Sequence, residues 1–397
     1  MNSSMLRIAI FFDGYLPLHE NKDPGQLAQG LHDIGVEAFV VTYVKAGLSK
    51  GHNTDNADLV VAATPDEASS AAFWRGLRLD AAVVYTWLSP QYLPVQEALH
   101  EAGTMVVVKA DTDGRLAPPL MHRSVTTRPE GARLLPRWIA RQVKWRVLGW
   151  QRLSMLGRAA EAADAIIVES PPAAANLAYL LWLSRRPELL GRIAVLPNPV
   201  HPRFGEVPIA PKRNLVVAIG RWDDVMPKNT AAMLGGLAEF LSSRSDFCAV
   251  IAGPGEGIVQ SILKQVTGPK DRMKVLGPVE HAVLPELLAS ARILLQPSRW
   301  ESFAITVGEA LCMGCSVVGT RIEPLWYLSS GGDWGTLAAS FDSSGVAAAL
   351  SYDAGRWDAG FYSAERIAGH WRQVLDRRRI AQRLLDLVER TGSGGSA

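Results

Sequence analysis

The chain has 397 residues, 48% hydrophobic and 20% charged, with 35 glycines, 24 prolines and a formal net charge of +2. That length exceeds what one hydrophobic core organises and implies two domains, while the composition is globular and excludes disordered, collagenous and coiled-coil chains. The longest apolar stretches fall short of the ~20 residues that span a bilayer, the run Ile8–Phe12 stops at Asp13, and three cysteines are too few for a disulfide framework, so the expectation is a chain with neither signal peptide nor transmembrane helix, in a reducing cytosol.

Short β-branched runs alternate with longer helical patterns, as in parallel sheets built from βαβ units. Strands are predicted at Leu6–Phe12, Val36–Tyr43, Asp58–Ala62, Ala81–Thr86, Thr104–Lys109, Ala165–Glu169 and Arg192–Leu196. Pro197–Arg213 then carries five prolines (Pro197, Pro199, Pro202, Pro208, Pro211), a composition that resists helix and central strand, and is read as an inter-domain hinge. The alternation restarts with strands at Asn214–Gly220, Cys248–Ala252, Lys274–Leu276, Arg292–Gln296 and Ser316–Gly319. Residues 364–391 read as helix with one break, and Gly392–Ala397 as a remnant of expression. The expected class is α/β, with two Rossmann-like domains, 1–200 and 201–363. Ligands bind such open sheets at the carboxyl ends of their strands, so the site is expected in the cleft where the two domains face each other. The first strand is not followed by G-x-G-x-x-G, which argues against a nicotinamide or flavin enzyme.

The segment Leu294–Val318 reads as strand, loop, helix, glycine, strand, with Glu301 at the end of the loop and Glu309 inside the helix. At 1.5 Å rise per residue the two carboxylates lie roughly two turns apart, within reach of one extended ligand. Free amides of Ser302, Phe303, Ala304 and Ile305 at the helix start form an anion site, which suits a diphosphate with a sugar on either side. The alternative is that Glu301 complements the helix dipole and Glu309 is a solvated helix residue. In Val217–Lys228, a strand ending in Gly220 delivers Arg221 to the sheet edge and Lys228 follows a turn, so two cations are available to a diphosphate leaving group, or are simply surface bases.

Together these residues resemble the GT-B retaining glycosyltransferases of the family 4, or group 1, type, over nearly the whole chain. The family's Glu-x7-Glu pattern matches Glu301 and Glu309, its Gly-Arg…Lys phosphate motif Gly220, Arg221 and Lys228, and its Gly-x-Gly turn Gly253 and Gly255. The resemblance implies that Glu301 holds donor-sugar hydroxyls, Glu309 the ribose, Arg221 and Lys228 the diphosphate, and the backbone near Val279 the nucleobase. It also implies that the first of the C-terminal helices crosses back to the N-terminal domain. This chain departs from the family at Asp23-Pro24-Gly25-Gln26, where only Gly25 is left to let backbone approach phosphate, and at Ala304, where glycine is common. Relatives present a histidine near Asp111, which is the candidate for that position.

Asp111-Thr112-Asp113 also spells the D-x-D that holds a divalent metal in the other glycosyltransferase fold, but that reading leaves the second half of the chain unexplained, so no metal and no cofactor are expected. Cys312 and Cys315 lack a second pair for zinc and read as packing residues. Between Met121 and Ala160, nine bases (Arg123, Arg128, Arg133, Arg137, Arg141, Lys144, Arg146, Arg152, Arg158) face the single acid Glu130, with Trp138, Trp145 and Trp150 interleaved. This reads as a docking surface for an anionic membrane, with a solvated face over a tryptophan core or a soluble anionic acceptor as alternatives, and without a nucleic-acid recognition motif. The expected protein is a metal-independent retaining glycosyltransferase at the inner face of the plasma membrane, using a UDP- or GDP-sugar donor and a lipid-linked or glycan acceptor. A degenerate GT-B protein that binds without turnover, and a GT-B epimerase or phosphorylase, are the other readings.

Overall fold

The computed structural model describes residues 6–43, 60–115, 149 and 151–394. The chain divides into Met1–Pro199 with Arg377–Ala397, and Val200–Asp376. In the first unit, β1 (Arg7–Phe11), β2 (Glu37–Tyr43), β3 (Val60–Ala63), β4 (Ala81–Tyr85), β5 (Met105–Lys109), β6 (Ala165–Val168) and β7 (Ile193–Val195) form a parallel sheet in the order β3-β2-β1-β4-β5-β6-β7. Alternate side chains leave a strand on opposite faces. Ile8 and Ile10 accordingly join one core with Leu27 and Leu31 of α1 (Asp23–Asp33), and Ala9 and Phe11 join the other with Leu177 and Leu181 of α2 (Pro171–Leu183).

The second unit has β8 (Arg213–Ile219), β9 (Cys248–Ala252), β10 (Met273–Gly277), β11 (Ala291–Gln296), β12 (Ser316–Thr320) and β13 (Gly335–Ala338), all parallel in the order β10-β9-β8-β11-β12-β13. Strand β13, at the edge, is missing from the sequence reading because Gly-Thr-Leu-Ala carries no β-branched run; it is held by pairing Val317–Thr320 to Gly335–Ala338. The division between the two units falls at Pro199 and Val200, inside the proline-rich stretch. Val200 and Phe204 are buried in the second unit's core, and Arg372 donates to the Val207 carbonyl at 2.8 Å, so 200–213 packs as part of that unit.

The C-terminal helices correct the sequence reading. The first, α4 (Ala364–Val374), stays in the second unit, burying Ile367 and Trp371 against α3 (Ile305–Cys312) and its surroundings. After a break at Leu375 and Asp376, α5 (Arg377–Gly394) belongs to the first unit, where Ile380, Ala381 and Leu384 share the core of Leu27 and Leu31 and Arg377 pairs with Asp33 at 2.7 Å. The returning helix is therefore the second, and it runs through Gly394, into the stretch read as a remnant. Cys312 and Cys315 are buried thiols, Cys315 Sγ lying 3.3 Å from the Leu288 and Ala291 carbonyls, and burial pushes both thiols above their ordinary range. Of the basic segment 121–160, residues 121–148 and Trp150 lie outside the described residues. No described helix is long and apolar enough to cross a membrane.

Candidate functional site

The second unit gathers its polar residues beyond the carboxyl ends of β8 and β11. Lys228 closes a single helical turn, Val225–Lys228, and the next residue, Asn229, is left-handed (φ 54°), which redirects the chain into the helix that follows. Asn229 accepts a bond from Arg299 Nε at 3.1 Å and donates to the Phe341 carbonyl at 2.8 Å, so the turn is tied to the loop after β11. That loop carries Glu301. Its Oε1 accepts from Lys228 Nζ (2.6 Å), Ser298 Oγ (2.6 Å) and Gln296 Nε2 (2.7 Å), three donors on one oxygen. Lys228 and Glu301, 73 positions apart, thus form one largely buried ion pair. Gln296 and Ser298, both buried, escaped the sequence reading although they end the strand and open the loop.

Arg221 is placed differently. Its side chain is 71% exposed and its nearest acid is Asp224 at 3.8 Å, so it extends into solvent. Behind it the loops after β8, β9 and β10 meet backbone to backbone: a Cβ on Gly253 (φ 115°) would lie 2.0 Å from the Gly220 carbonyl oxygen, and Gly253 N donates to the Gly277 carbonyl at 2.7 Å. Helix α3 opens at Ile305 with Ala304 as its cap in the left-handed region (φ 68°, ψ 65°). Ser302 and Phe303 therefore belong to the preceding loop, and the Phe303 ring is buried in the core. Glu309 is no solvated helix residue: it is buried, and its Oε1 lies 2.8 Å from His281 Nε2. His281 follows Val279, which packs half-buried beside the core, and its Nδ1 is buried with no partner among the described residues. The rings of His201 and Phe204 meet His281 edge-on at 5.8 and 5.3 Å.

In the first unit the carboxyl ends of β4, β5 and β6 enclose a buried ionic cluster of which only Asp111 was anticipated. Lys109 Nζ donates to Glu169 Oε1 (2.8 Å) and Asn198 Oδ1 (2.6 Å) and stands 3.4 Å from Asp23 Oδ2, to which Tyr85 OH also donates at 2.5 Å. Burial works against the Lys109 charge, but Asp23, Glu169 and Asp111 outweigh it and hold the ammonium above its usual range. Burial raises Asp23 and Glu169 in spite of the lysine. Asp111, at a left-handed φ of 44°, accepts from Trp87 Nε1 at 3.0 Å, and burial followed by repulsion from Glu169 pushes it up to about 7. Trp87 and Leu88 are left-handed too (φ 47° and 53°). Backbone strain of this kind costs on the order of 1–3 kcal/mol per residue and gathers where function fixes geometry. Asp113 turns to its own loop, accepting from Arg115 N at 3.1 Å. Among the described residues no group of three His, Cys, Asp or Glu side chains is arranged to hold a metal ion. Gly25 lies in the first turn of α1, where a Cβ would meet the backbone of Glu20 and His19 at 2.5 and 2.6 Å. Its missing side chain makes room for the chain's own turn.

Two parallel Rossmann-like sheets, with polar residues beyond their carboxyl edges, define the GT-B glycosyltransferase fold. Residues 213–352, within the second unit, match the family model "Glycosyl transferases group 1". The chain is 29% identical over 170 residues to a phosphatidyl-myo-inositol mannosyltransferase of Mycolicibacterium smegmatis, covering 41% of this chain and 43% of that protein. It is 31% identical over 111 residues to the lipopolysaccharide core biosynthesis mannosyltransferase LpsB of Rhizobium meliloti, covering 26% and 31%. The chain thus spans less than half the length of either relative. Among solved structures it resembles Anabaena HepE in complex with UDP, with a TM-score of 0.68 at 15% identity over 97% of this chain and 100% of that one.

Proposed function

We propose that the protein is a metal-independent retaining glycosyltransferase that moves a sugar from a UDP- or GDP-sugar to a hydroxyl of a membrane-associated glycolipid or polysaccharide precursor. The observation that carries this reading is the Lys228–Glu301 pair with its three donors converging on one carboxylate oxygen. In this reading Glu301 Oε2 takes donor-sugar hydroxyls while Lys228, in the same network, lies against the departing diphosphate. Arg221, exposed at the sheet edge, folds onto the diphosphate when donor arrives, and the amides at the start of α3 from Ala304 and Ile305 take its oxygens. Glu309, oriented by His281 through Oε1, offers Oε2 to the ribose hydroxyls, and backbone near Val279 meets the base. Asp111 and its cluster line the acceptor side. The mannosyltransferase relatives and the UDP complex of a structural neighbour support a nucleotide-sugar donor, and the lipid named in one relative supports a lipid acceptor.

The leaving diphosphate takes the acceptor proton while both substrates lie on the same face of the sugar, so configuration is retained without a covalent nucleophile. Thermal unfolding with UDP, GDP and their sugars tests donor choice, because a ligand that binds only the native state raises stability by RT ln(1 + [L]/Kd). Product analysis with EDTA present completes the test. Binding without any transfer or hydrolysis would favour a binding protein, and activity abolished by EDTA and restored by manganese would remove the metal-independent mechanism.

A further inference from the structure

Helix α2 presents a solvent face with no charge on it. No acidic or basic residue occurs from Pro171 to Leu183, and the one amide side chain, Asn176, donates to the Asp113 carbonyl at 2.8 Å. Ala173, Leu177 and Leu181 fill the core, so the helical period turns Ala175, Tyr179 and Trp182 outward. Tyr179 is 60% and Trp182 61% exposed, and their rings stack at 6.3 Å with an interplanar angle of 18°. Exposed Leu190 follows the helix. A side chain at Gly157 would touch Ser184 and Arg186, so the helical run 151–161, with exposed Met155 and Arg158, lies against the C-terminal end of α2.

The charges sit around this face. Arg158 and Arg185 are exposed, Arg186 pairs with Glu161 at 2.5 Å, and exposed Glu188 is the other acid nearby. Single exposed hydrophobics are ordinary on a monomer. Trp and Tyr are the residues enriched where a bilayer meets water, and exposed bases beside them favour anionic headgroups.

We infer that this face of α2 seats the first unit on a bilayer bearing anionic headgroups, with Tyr179 and Trp182 in the interfacial zone and Arg158 and Arg185 at headgroup phosphates. The inference rests on the reading of the acceptor as membrane-borne and gives it a place in the fold. The N-terminal end of α2 follows Glu169 directly and is pinned to the Asp111–Gly114 loop, where a Cβ on Gly114 would lie 2.1 Å from the Ala173 carbonyl oxygen. A bilayer held by α2 therefore runs beside the edge of the sheet that carries Asp111.

The test is co-sedimentation of the full chain, without donor, with vesicles of phosphatidylcholine alone or mixed with phosphatidylglycerol. Wild type should bind the mixed vesicles, more weakly as salt rises from about 0.1 M to about 1 M and the Debye length contracts from about 10 to about 3 Å. The ring contribution is insensitive to salt, so Tyr179→Ser with Trp182→Ser should weaken binding at least ~10-fold at either salt, about 1.4 kcal/mol, with an unchanged melting temperature. Should that variant unfold, Trp182→Phe keeps the packing and should remove most of the tryptophan quenching that brominated lipid produces in wild type. Indifference of wild type to mixed vesicles, full binding by the serine variant, or undiminished quenching in Trp182→Phe overturns the inference. A dimer in solution that the serine variant dissociates does so as well, since the face would then be a protein interface. Sugar transfer without vesicle binding removes the inference alone; vesicle binding without any transfer removes the glycosyltransferase reading and leaves the inference standing.

Discussion

Among the described residues Lys109 is the cation paired with the buried carboxylates Asp23 and Glu169, and replacing it by methionine isolates what the cluster contributes. The ammonium gives up bonds to Glu169 at 2.8 Å and Asn198 at 2.6 Å and its contact with Asp23 at 3.4 Å, while the methionine fills most of the volume. Removing one partner of a buried ion pair typically costs about 3–5 kcal/mol, because the remaining charge stays out of water. For a unit of this size each kcal/mol moves the midpoint by about 2–4 °C, so Lys109→Met should lower the first unit's melting temperature by roughly 6–20 °C. The loss should depend on pH in a defined sense. Without the lysine, burial raises Asp23 and Glu169 still further, and an acid raised on folding is destabilising above its unfolded pKa, so the deficit shrinks as pH falls toward 5 and grows toward 8. Hydrogen exchange of the β5 amides assigns the loss to this unit, and adding Glu169→Gln should recover part of it, since contacting sites are not additive. A loss below about 1 kcal/mol that is the same at pH 5 and pH 8 would refute the assignment of Lys109 as the charge that holds this edge together.

Glu301→Gln keeps the shape of the network but removes the charge that faces Lys228; turnover should fall about 100-fold or more with the fold intact, and near wild-type turnover would take Glu301 out of the site. Glu309→Ala should chiefly weaken the affinity for free nucleoside diphosphate, and His281→Ala should weaken it less, because the carboxylate loses only the donor that orients it; calorimetric titration with unchanged affinity in Glu309→Ala would end the ribose assignment. Asp111, pushed up to about 7, binds its proton more tightly folded than unfolded, so it subtracts stability as pH rises from about 4 through 7. Asp111→Asn should therefore flatten the fall in melting temperature between pH 5 and 8, and parallel curves for variant and wild type would show that Asp111 is ionised throughout.

The strands were legible because a buried parallel strand demands a run of β-branched residues, and each such run lies where a strand forms. The exception, β13, is a four-residue edge strand specified by its neighbour and not by its own residues. Lys228 and Glu301 were each legible because both belong to motifs of fixed spacing, but their pairing across 73 positions was not. Arg221, from the same motif, does not join them, since a long side chain at a loop tip is positioned by a ligand or by nothing. The crossing helix was misassigned because both C-terminal helices have apolar faces of similar period, and only tertiary packing decides that Trp371 enters one core and Leu384 the other.

The first unit's cluster was hidden for a different reason. Lys109 is separated from Glu169 by 60 positions and from Asn198 by 89, and none of these residue types is rare. A signal does exist: in a parallel sheet every strand ends on the same edge, so polar residues that close successive apolar runs must converge. Asp13 follows β1, Lys109 ends β5 with Asp111 just beyond it, and Glu169 follows β6, and each is a charged residue that a buried strand otherwise avoids. Ala304 makes the same point in the second unit. A left-handed alanine costs roughly 1–2 kcal/mol relative to glycine, a cost that sequence comparison alone registers as a departure from pattern, whereas the backbone shows it is borne at the residue that caps α3 and aims its first amides. Strain retained at Ala304 on one sheet edge, and at Trp87, Leu88 and Asp111 on the other, marks both edges as places where geometry is set by something other than stability.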